Sequence, residues 1–129
     1  MAEWHYNLFL VADGPVDLLA LQGRLSRDLP VMASPSAKLL MWGTAEGDRI
    51  DFWTDHTPTQ LLARFDLRTP SEGFRRLVLE VTREFQLRLV NAEDAAVEPT
   101  DAALLADLAA SEAQAFVLSP PAEEDEEEE

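Results

Sequence analysis

The chain contains no cysteine, and this absence excludes a defined set of chemistries. Disulfide bonds, thiolate metal ligands and cysteine nucleophiles all need a residue that is missing here. Histidine is nearly as scarce: His5 and His56 are the only two, and they do not have the spacing of paired metal ligands on one helix. We therefore predict neither a metal site nor a cofactor.

Long apolar segments are also absent. No apolar run approaches the ~20 residues that a membrane-spanning helix needs. The N-terminal stretch MAEWHYNLFLVA has an acidic residue where a signal peptide would be positive, and its polar and apolar residues alternate. We expect a cytoplasmic protein that does not contact membranes.

Basic residues are few, and the charge is unevenly distributed along the chain. The formal net charge is −15, from 25 acidic and 10 basic residues. All ten basic residues lie in residues 1–92, and nine of them are arginine, a bias typical of a GC-rich bacterial genome. Every charged residue in 93–129 is acidic, so most of the negative charge belongs to the C-terminal third.

The acidic residues are densest at the end of the chain. Seven of them follow one another without interruption: Glu123, Glu124, Asp125, Glu126, Glu127, Glu128 and Glu129. Blocks of like charge repel and usually remain solvated. We predict a single α+β domain over residues 1–118 and a disordered acidic tail over residues 119–129, which either aids solubility or occupies a basic surface on another protein.

Apolar periodicity predicts the element order β-α-β-β-β-α-β-α. The first strand covers Trp4 to Ala12, and a helix follows near Pro15, capped by Asp13 or Gly14. This order favours a two-layer α+β sandwich with a mixed, mainly antiparallel sheet, ferredoxin-like or a close variant.

Later elements have their own boundary signals. Thr69 caps the second predicted helix in a capping box, and Thr100 caps the third. Residues 116–118 are expected to form a short last strand or an extended arm.

Residues 37–58, AKLLMWGTAEGDRIDFWTDHTP, are predicted to form a β-hairpin. We expect AEGD to be a four-residue loop in which Gly47 takes a positive φ. Pairing Thr44 with Arg49 then places Trp42 and Trp53 on one face of the sheet, away from the helices. A shift of one residue would reverse the faces of one strand relative to the other.

No motif in the sequence carries a recognisable reaction. There is no nucleophile elbow of the GxSxG type, and the glycines do not form a phosphate-binding loop. Asp51, Asp55 and His56 could form an acid–base or metal cluster, but the last two lie where the strand gives way to a turn. This hydrolase-type or metal site is our third hypothesis, and we lean towards a protein that is not an enzyme.

The leading hypothesis is a regulatory or inhibitory protein-interaction domain. Tryptophan and arginine are enriched in interface hot spots, and large exposed apolar patches are uncommon on monomers. The residues predicted for this surface are Trp42, Trp53, Arg64, Arg68 and Arg88. A protein partner is expected, and a homodimer is the simplest one, unless the third helix covers both tryptophans.

The alternative function is a nucleic-acid or nucleotide binder that uses the same sheet face. Aromatic and arginine side chains on an open sheet stack bases and hold phosphates in some RNA-binding domains. However, affinity for nucleic acid depends on cationic neutralisation of phosphates. With a net charge of −15, nucleic acid is an unlikely partner.

Overall fold

The computed structural model describes residues 4–118, so the acidic segment Glu123 to Glu129 lies outside the described residues. The described part contains seven strands and four helices. The strands are β1 (His5–Ala12), β2 (Val31–Met32), β3 (Leu39–Gly43), β4 (Arg49–Trp53), β5 (Gln60–Asp66), β6 (Leu87–Asn91) and β7 (Ala96–Val97). The helices are α1 (Leu18–Asp28), α2 (Glu72–Glu84), α3 (Asp101–Ala110) and α4 (Glu112–Leu118).

All seven strands form one antiparallel sheet in the order β2-β3-β4-β5-β1-β6-β7. The expected mixed sheet is wrong for the described residues, because every hydrogen-bonded pair of neighbouring strands is antiparallel. The reason is that the chain passes from β1 through α1 to the far edge of the sheet and returns as the meander β3-β4-β5, so β5 becomes the neighbour of β1. The chain is an α+β protein, but this order does not confirm the ferredoxin-like sandwich.

The helices pack against one face of the sheet. The Trp42 indole N–H donates to the Ser26 hydroxyl of α1 at 2.9 Å. The Phe74 ring of α2 lies 4.9 Å from that of Phe65, edge to face. Tyr6, which pairs with Phe65 across β1 and β5, donates its hydroxyl to a carboxylate of α3. We call the opposite side of the sheet the open face, because none of the four described helices covers it.

The alternation predicted for the first strand is confirmed. Every second side chain of β1 is buried beneath the helices: Tyr6, Leu8, Leu10 and Ala12. The matching positions of β5 are buried in the same way: Leu61, Ala63 and Phe65. Burial of this apolar set supplies the main free energy of folding, at about 25 cal/mol per Å² of apolar surface.

The predicted register of the β3–β4 hairpin is wrong by one residue. Gly43 pairs with Arg49, and the Thr44 N–H donates to the Asp48 carbonyl at 3.0 Å. The loop between them is therefore three residues long instead of four. The residue with positive φ is Gly43, at 120°, and not Gly47.

The corrected register places the two tryptophans on opposite faces. Trp42 lies opposite Ile50 and faces the helices, whereas Trp53 lies opposite Leu39 and belongs to the open face. Trp42 is only 3% exposed. Helix α1 covers it through Ser26, so neither the third helix nor a second subunit is needed for its burial.

Two of the three helix caps differ from the expectation. Asp17 caps α1, with its carboxylate accepting the Ala20 N–H, because a cap side chain must reach the amide three residues later. Ser71 caps α2 in the same way, two residues after the expected Thr69. The Thr100 cap of α3 is confirmed.

The expected last strand or arm at residues 116–118 is wrong, since these residues end helix α4. Ser111 accounts for the helix, because its hydroxyl accepts the Gln114 N–H at 3.1 Å and so caps a new turn directly after α3. Ala113 is buried against the core, and the Phe116 ring lies 6.4 Å from that of Trp4. Among residues 4–118, no helix combines the length and apolarity needed to cross a membrane.

Gly43→Ala tests the hairpin register. An added Cβ would lie 2.3 Å from the Asp48 carbonyl oxygen, on a backbone with φ of 120°. We expect the free energy of unfolding to fall by about 1–3 kcal/mol or more, from strain and contact together, measured by urea denaturation. Gly23→Ala is the matched control in α1, where a Cβ meets nothing within 4 Å, and it should raise stability by about 0.5–1 kcal/mol. Equal effects of the two substitutions would contradict this register.

Candidate functional site

An apolar row crosses the open face from one edge of the sheet to the other. Its residues lie directly opposite one another on neighbouring strands and belong to β2, β3, β5, β1, β6 and β7 in turn: Met32, Met41, Leu62, Phe9, Val90 and Ala96. At β4 the row is interrupted by Asp51. We call these six residues the apolar row.

A second, mixed row runs beside the apolar row. Trp53 pairs with Leu39, and Val11 pairs with both Gln60 and Arg88. Around Val11 and Arg88 the surface is concave, with a volume of about 340 Å³. The open face therefore presents a tryptophan on β4 and a concavity over β1 and β6.

Asp51 is a buried carboxylate in the middle of this apolar surface, only 5% exposed. The Arg49 Nε lies 2.9 Å from its Oδ1, and the other end of the guanidinium donates to its Oδ2 at 3.2 Å. Arg49 follows the alternation of β4 and faces the same side. A buried carboxylate needs such a partner, because an unpaired charge out of water is costly.

Arg64 holds the hairpin loop and is not a free surface cation. Its guanidinium donates to the main-chain carbonyls of Thr44, Ala45 and Gly47, at 2.6 Å in the shortest case. Burial, with Arg49 nearby, lowers the pKa of Arg64. The structure thus gives this predicted interaction residue a structural role in the loop.

Arg68 lies just beyond β5 and is exposed. Its guanidinium binds both oxygens of Asp66, and its Cζ lies 4.0 Å from the centre of the Trp4 ring. The hydrogen bonds from Arg68 lower the pKa of Asp66 despite its burial. The Asp66 N–H in turn donates to Asp48, whose own pKa burial raises.

The predicted surface is therefore only partly assembled. Trp53 and Arg88 lie on the open face, with Arg88 exposed and its Nε 2.6 Å from Asp13 Oδ1. Arg64 and Arg68 are engaged near the hairpin loop, and Trp42 is in the core. The apolar residues Leu62 and Val90 were missed, although the apolar pairs LL at 61–62 and LV at 89–90 were a signal in the sequence.

The third hypothesis receives no support from the geometry. Asp51 pairs with Arg49, Asp55 with Lys38 at 3.6 Å, and the His56 ring stacks on Trp53 with centroids 5.9 Å apart. Within residues 4–118, no three histidine or acidic side chains are grouped closely enough to hold a metal ion.

A separate cavity of about 540 Å³ lies between β1 and the junction of α3 and α4. One wall of the cavity contains a buried hydrogen-bonded cluster, in which the Tyr6 hydroxyl and the Asn91 side-chain amide both donate to the Asp107 carboxylate. The Asn91 Nδ2 lies 3.1 Å from each carboxylate oxygen. Burial and the adjacent Asp107 carboxylate raise the pKa of Tyr6, so this phenol stays protonated. Sequence reasoning missed the cluster, and the available signal was Asp107, three residues after the buried Leu104, the one charged residue of α3 after its first residue, Asp101.

Comparison of the chain with known protein families, curated proteins and solved structures gives no match. Function is therefore inferred from the geometry of the open face and its surroundings.

Replacing Arg68 by methionine should raise the pKa of Asp66 towards its ordinary value. A carboxylate whose folded pKa is lowered stabilises the fold above its unfolded pKa, and this contribution disappears as the pH falls through the folded pKa. Arg68→Met should therefore reduce stability at neutral pH and match the wild type in acid. The measurement is an NMR titration of the Asp66 carboxyl carbon, combined with urea unfolding at both pH values.

Arg76→Met is the control for this experiment. Arg76 also pairs with an acid, Glu72, but both side chains are well exposed and the pair should contribute little. A stability loss that is the same for both variants, or independent of pH, would contradict the assigned role of Arg68.

Proposed function

We propose that this protein is a non-enzymatic interaction domain that binds another protein through the open face of its sheet. The observation that supports the proposal is the apolar row, which crosses all the strands except β4 and has no helix of residues 4–118 over it. Met41 within the row is buried, whereas Phe9, Leu62 and Val90 are half-buried and keep part of their apolar surface accessible. A regulatory or inhibitory role would follow from what the face binds.

Strand composition supports the need for a second layer. Strands that are buried on both faces have continuous apolar sequences, whereas strands with one face in solvent alternate between apolar and polar residues. From Leu8 to Ala12 every residue of β1 is apolar, and β6 carries Leu89 and Val90 in sequence. The helices account for one face only, so these runs favour a partner on the other.

Protein is favoured over nucleic acid as the partner. The guanidinium of Arg64 donates to loop carbonyls, and that of Arg68 donates to Asp66. The cations that could have held phosphates are thus engaged, in a chain with a net charge of −15. Neutralisation of phosphates by free Lys and Arg is the main source of affinity for nucleic acid, and this face offers little of it.

The acidic segment, residues 123–129, is kept in the proposal as an auxiliary contact. Seven consecutive carboxylates would attract a partner with a basic surface and speed its association. For a partner with a basic surface, deleting the segment should reduce binding at low salt and have little effect at high salt, because screening removes such long-range attraction. For a partner that is itself strongly negative, deletion should instead strengthen binding at low salt.

Affinity capture with matched variants tests the open face. Tagged wild type, Leu62→Asp and Leu19→Asp are used as baits in extracts of the cells that naturally make the protein. Leu62 is central in the apolar row, whereas Leu19 is an 81% exposed leucine on α1. We expect at least tenfold less bound protein on Leu62→Asp and no loss on Leu19→Asp, because a charge in a dry interface is strongly unfavourable.

Circular dichroism of each bait checks that it remains folded. If Leu62→Asp is folded and captures the same proteins in the same amounts as the wild type, the open face is not the binding surface.

A further inference from the structure

We infer that the partner of the open face is a second copy of this chain, packed face to face about a two-fold axis along β5. This inference rests on the proposed function and names its partner. The sheet order makes β5 the fourth of seven strands, so an axis along β5 divides the face into equal halves. Such an isologous contact brings each residue against its counterpart on the other half.

The registers then determine which residues meet. Rotation about β5 places β4 of one copy on β1 of the other, and β3 on β6. Trp53 of one copy therefore lies over Val11 of the other, because both belong to the mixed row. In the apolar row, Met41 meets Val90, and Leu62 lies on the axis against its own counterpart.

This arrangement places the half-buried Trp53 of one copy, which stacks on its own His56, over the concavity of the other copy. Trp53 is the largest side chain on the open face, and the surface around Val11 and Arg88 holds a volume of about 340 Å³. The Trp53 indole can fill this space and lie against the Arg88 guanidinium of the other copy, which is a cation–π contact. Two-fold symmetry forms the contact twice.

Charge also favours the open face as the place where two copies meet. The chain carries −15, most of it in residues 93–129, so two copies repel each other mainly through their C-terminal thirds. On the open face and its rim the charges nearly balance. Three arginines (Arg49, Arg64 and Arg88) accompany four aspartates: Asp51 and Asp66 on the strands, Asp13 against Arg88, and Asp94 beside the concavity. The open face thus has only one more aspartate than arginine, and repulsion between copies that meet there is small compared with the chain's total of −15.

The size of the face sets the strength of the dimer. Seven strands about 4.8 Å apart span about 29 Å, and a five-residue strand is about 17 Å long. Two such faces cover about 1,000 Å² together, which is the lower end of specific interfaces. We expect a concentration-dependent dimer with a dissociation constant in the micromolar range.

Thiol cross-linking tests the axis directly, because the chain has no cysteine of its own. Gln60 lies on β5 in the mixed row, so the two copies of a Gln60→Cys chain should bring their thiols together. A short bis-maleimide should convert most of this variant to covalent dimer. Leu19→Cys, on exposed α1, is the matched control and should remain monomeric under the same conditions.

Sedimentation equilibrium over a range of concentrations measures the association itself. Trp53→Ala and Arg88→Met should each weaken dimerisation by about tenfold or more, whereas Leu19→Asp should leave it unchanged. A wild type that stays monomeric at millimolar concentration would overturn the inference. So would a dimer that persists in Trp53→Ala and fails to cross-link through Gln60→Cys, because it would use another surface.

The two proposals fail separately. If the wild type is monomeric but Leu62→Asp still abolishes capture of a different protein, the homodimer inference is wrong and the open face remains the binding surface. If neither dimerisation nor capture depends on Leu62, both are wrong.

Discussion

The backbone of Gly43 and the hydrogen bond between Thr44 and Asp48 fix the register of the β3–β4 hairpin, and much of the surface chemistry depends on that register. Side chains of a strand alternate between the two faces, so a shift of the pairing by one residue changes which face the residues of β3 occupy relative to those of β4. Here the register places Trp42 under α1 and leaves Trp53 on the open face. Glycine is suited to this position, since the φ of 120° and the nearby Asp48 carbonyl leave no room for a Cβ.

The polar residues around the hairpin maintain this geometry. Arg64 binds three loop carbonyls, and the Asp48 carboxylate accepts the main-chain N–H of Asp66. Asp66 is held in turn by Arg68, which lowers its pKa and keeps it ionised. An arginine whose donors are already used contributes to a surface through its shape and its stem more than through its charge. For this reason we assign the proposed binding contacts of the open face to apolar residues and Trp53.

The sequence allowed the existence and type of most elements to be predicted, because each depends on local periodicity. The alternation of β1 and the Thr100 cap of α3 are examples. The face that each residue occupies and the order of the strands in the sheet could not be predicted as well. They depend on turn geometry and on which strand pairs with β1. The AEGD segment allows loops of three or four residues, and the positive φ of Gly43 and the contacts from Arg64, which belong to the three-residue loop, are not apparent from the local sequence. The Tyr6–Asp107 contact joins residues 101 positions apart, and no local pattern encodes it.

One helical layer and one sheet cannot bury strands that are apolar on both sides. In β1, Leu8 and Leu10 serve the helices, while Phe9 and Val11 face the other way. Phe9 and Val11 are half-buried, and without a partner they would forgo about 25 cal/mol for each Å² of apolar area that stays accessible, and this area would favour non-specific association. A defined partner removes both costs. In the proposed interface, the Arg49–Asp51 pair would restrict which registers a partner can adopt, since a buried ion pair inside an apolar surface adds little stability but must be matched.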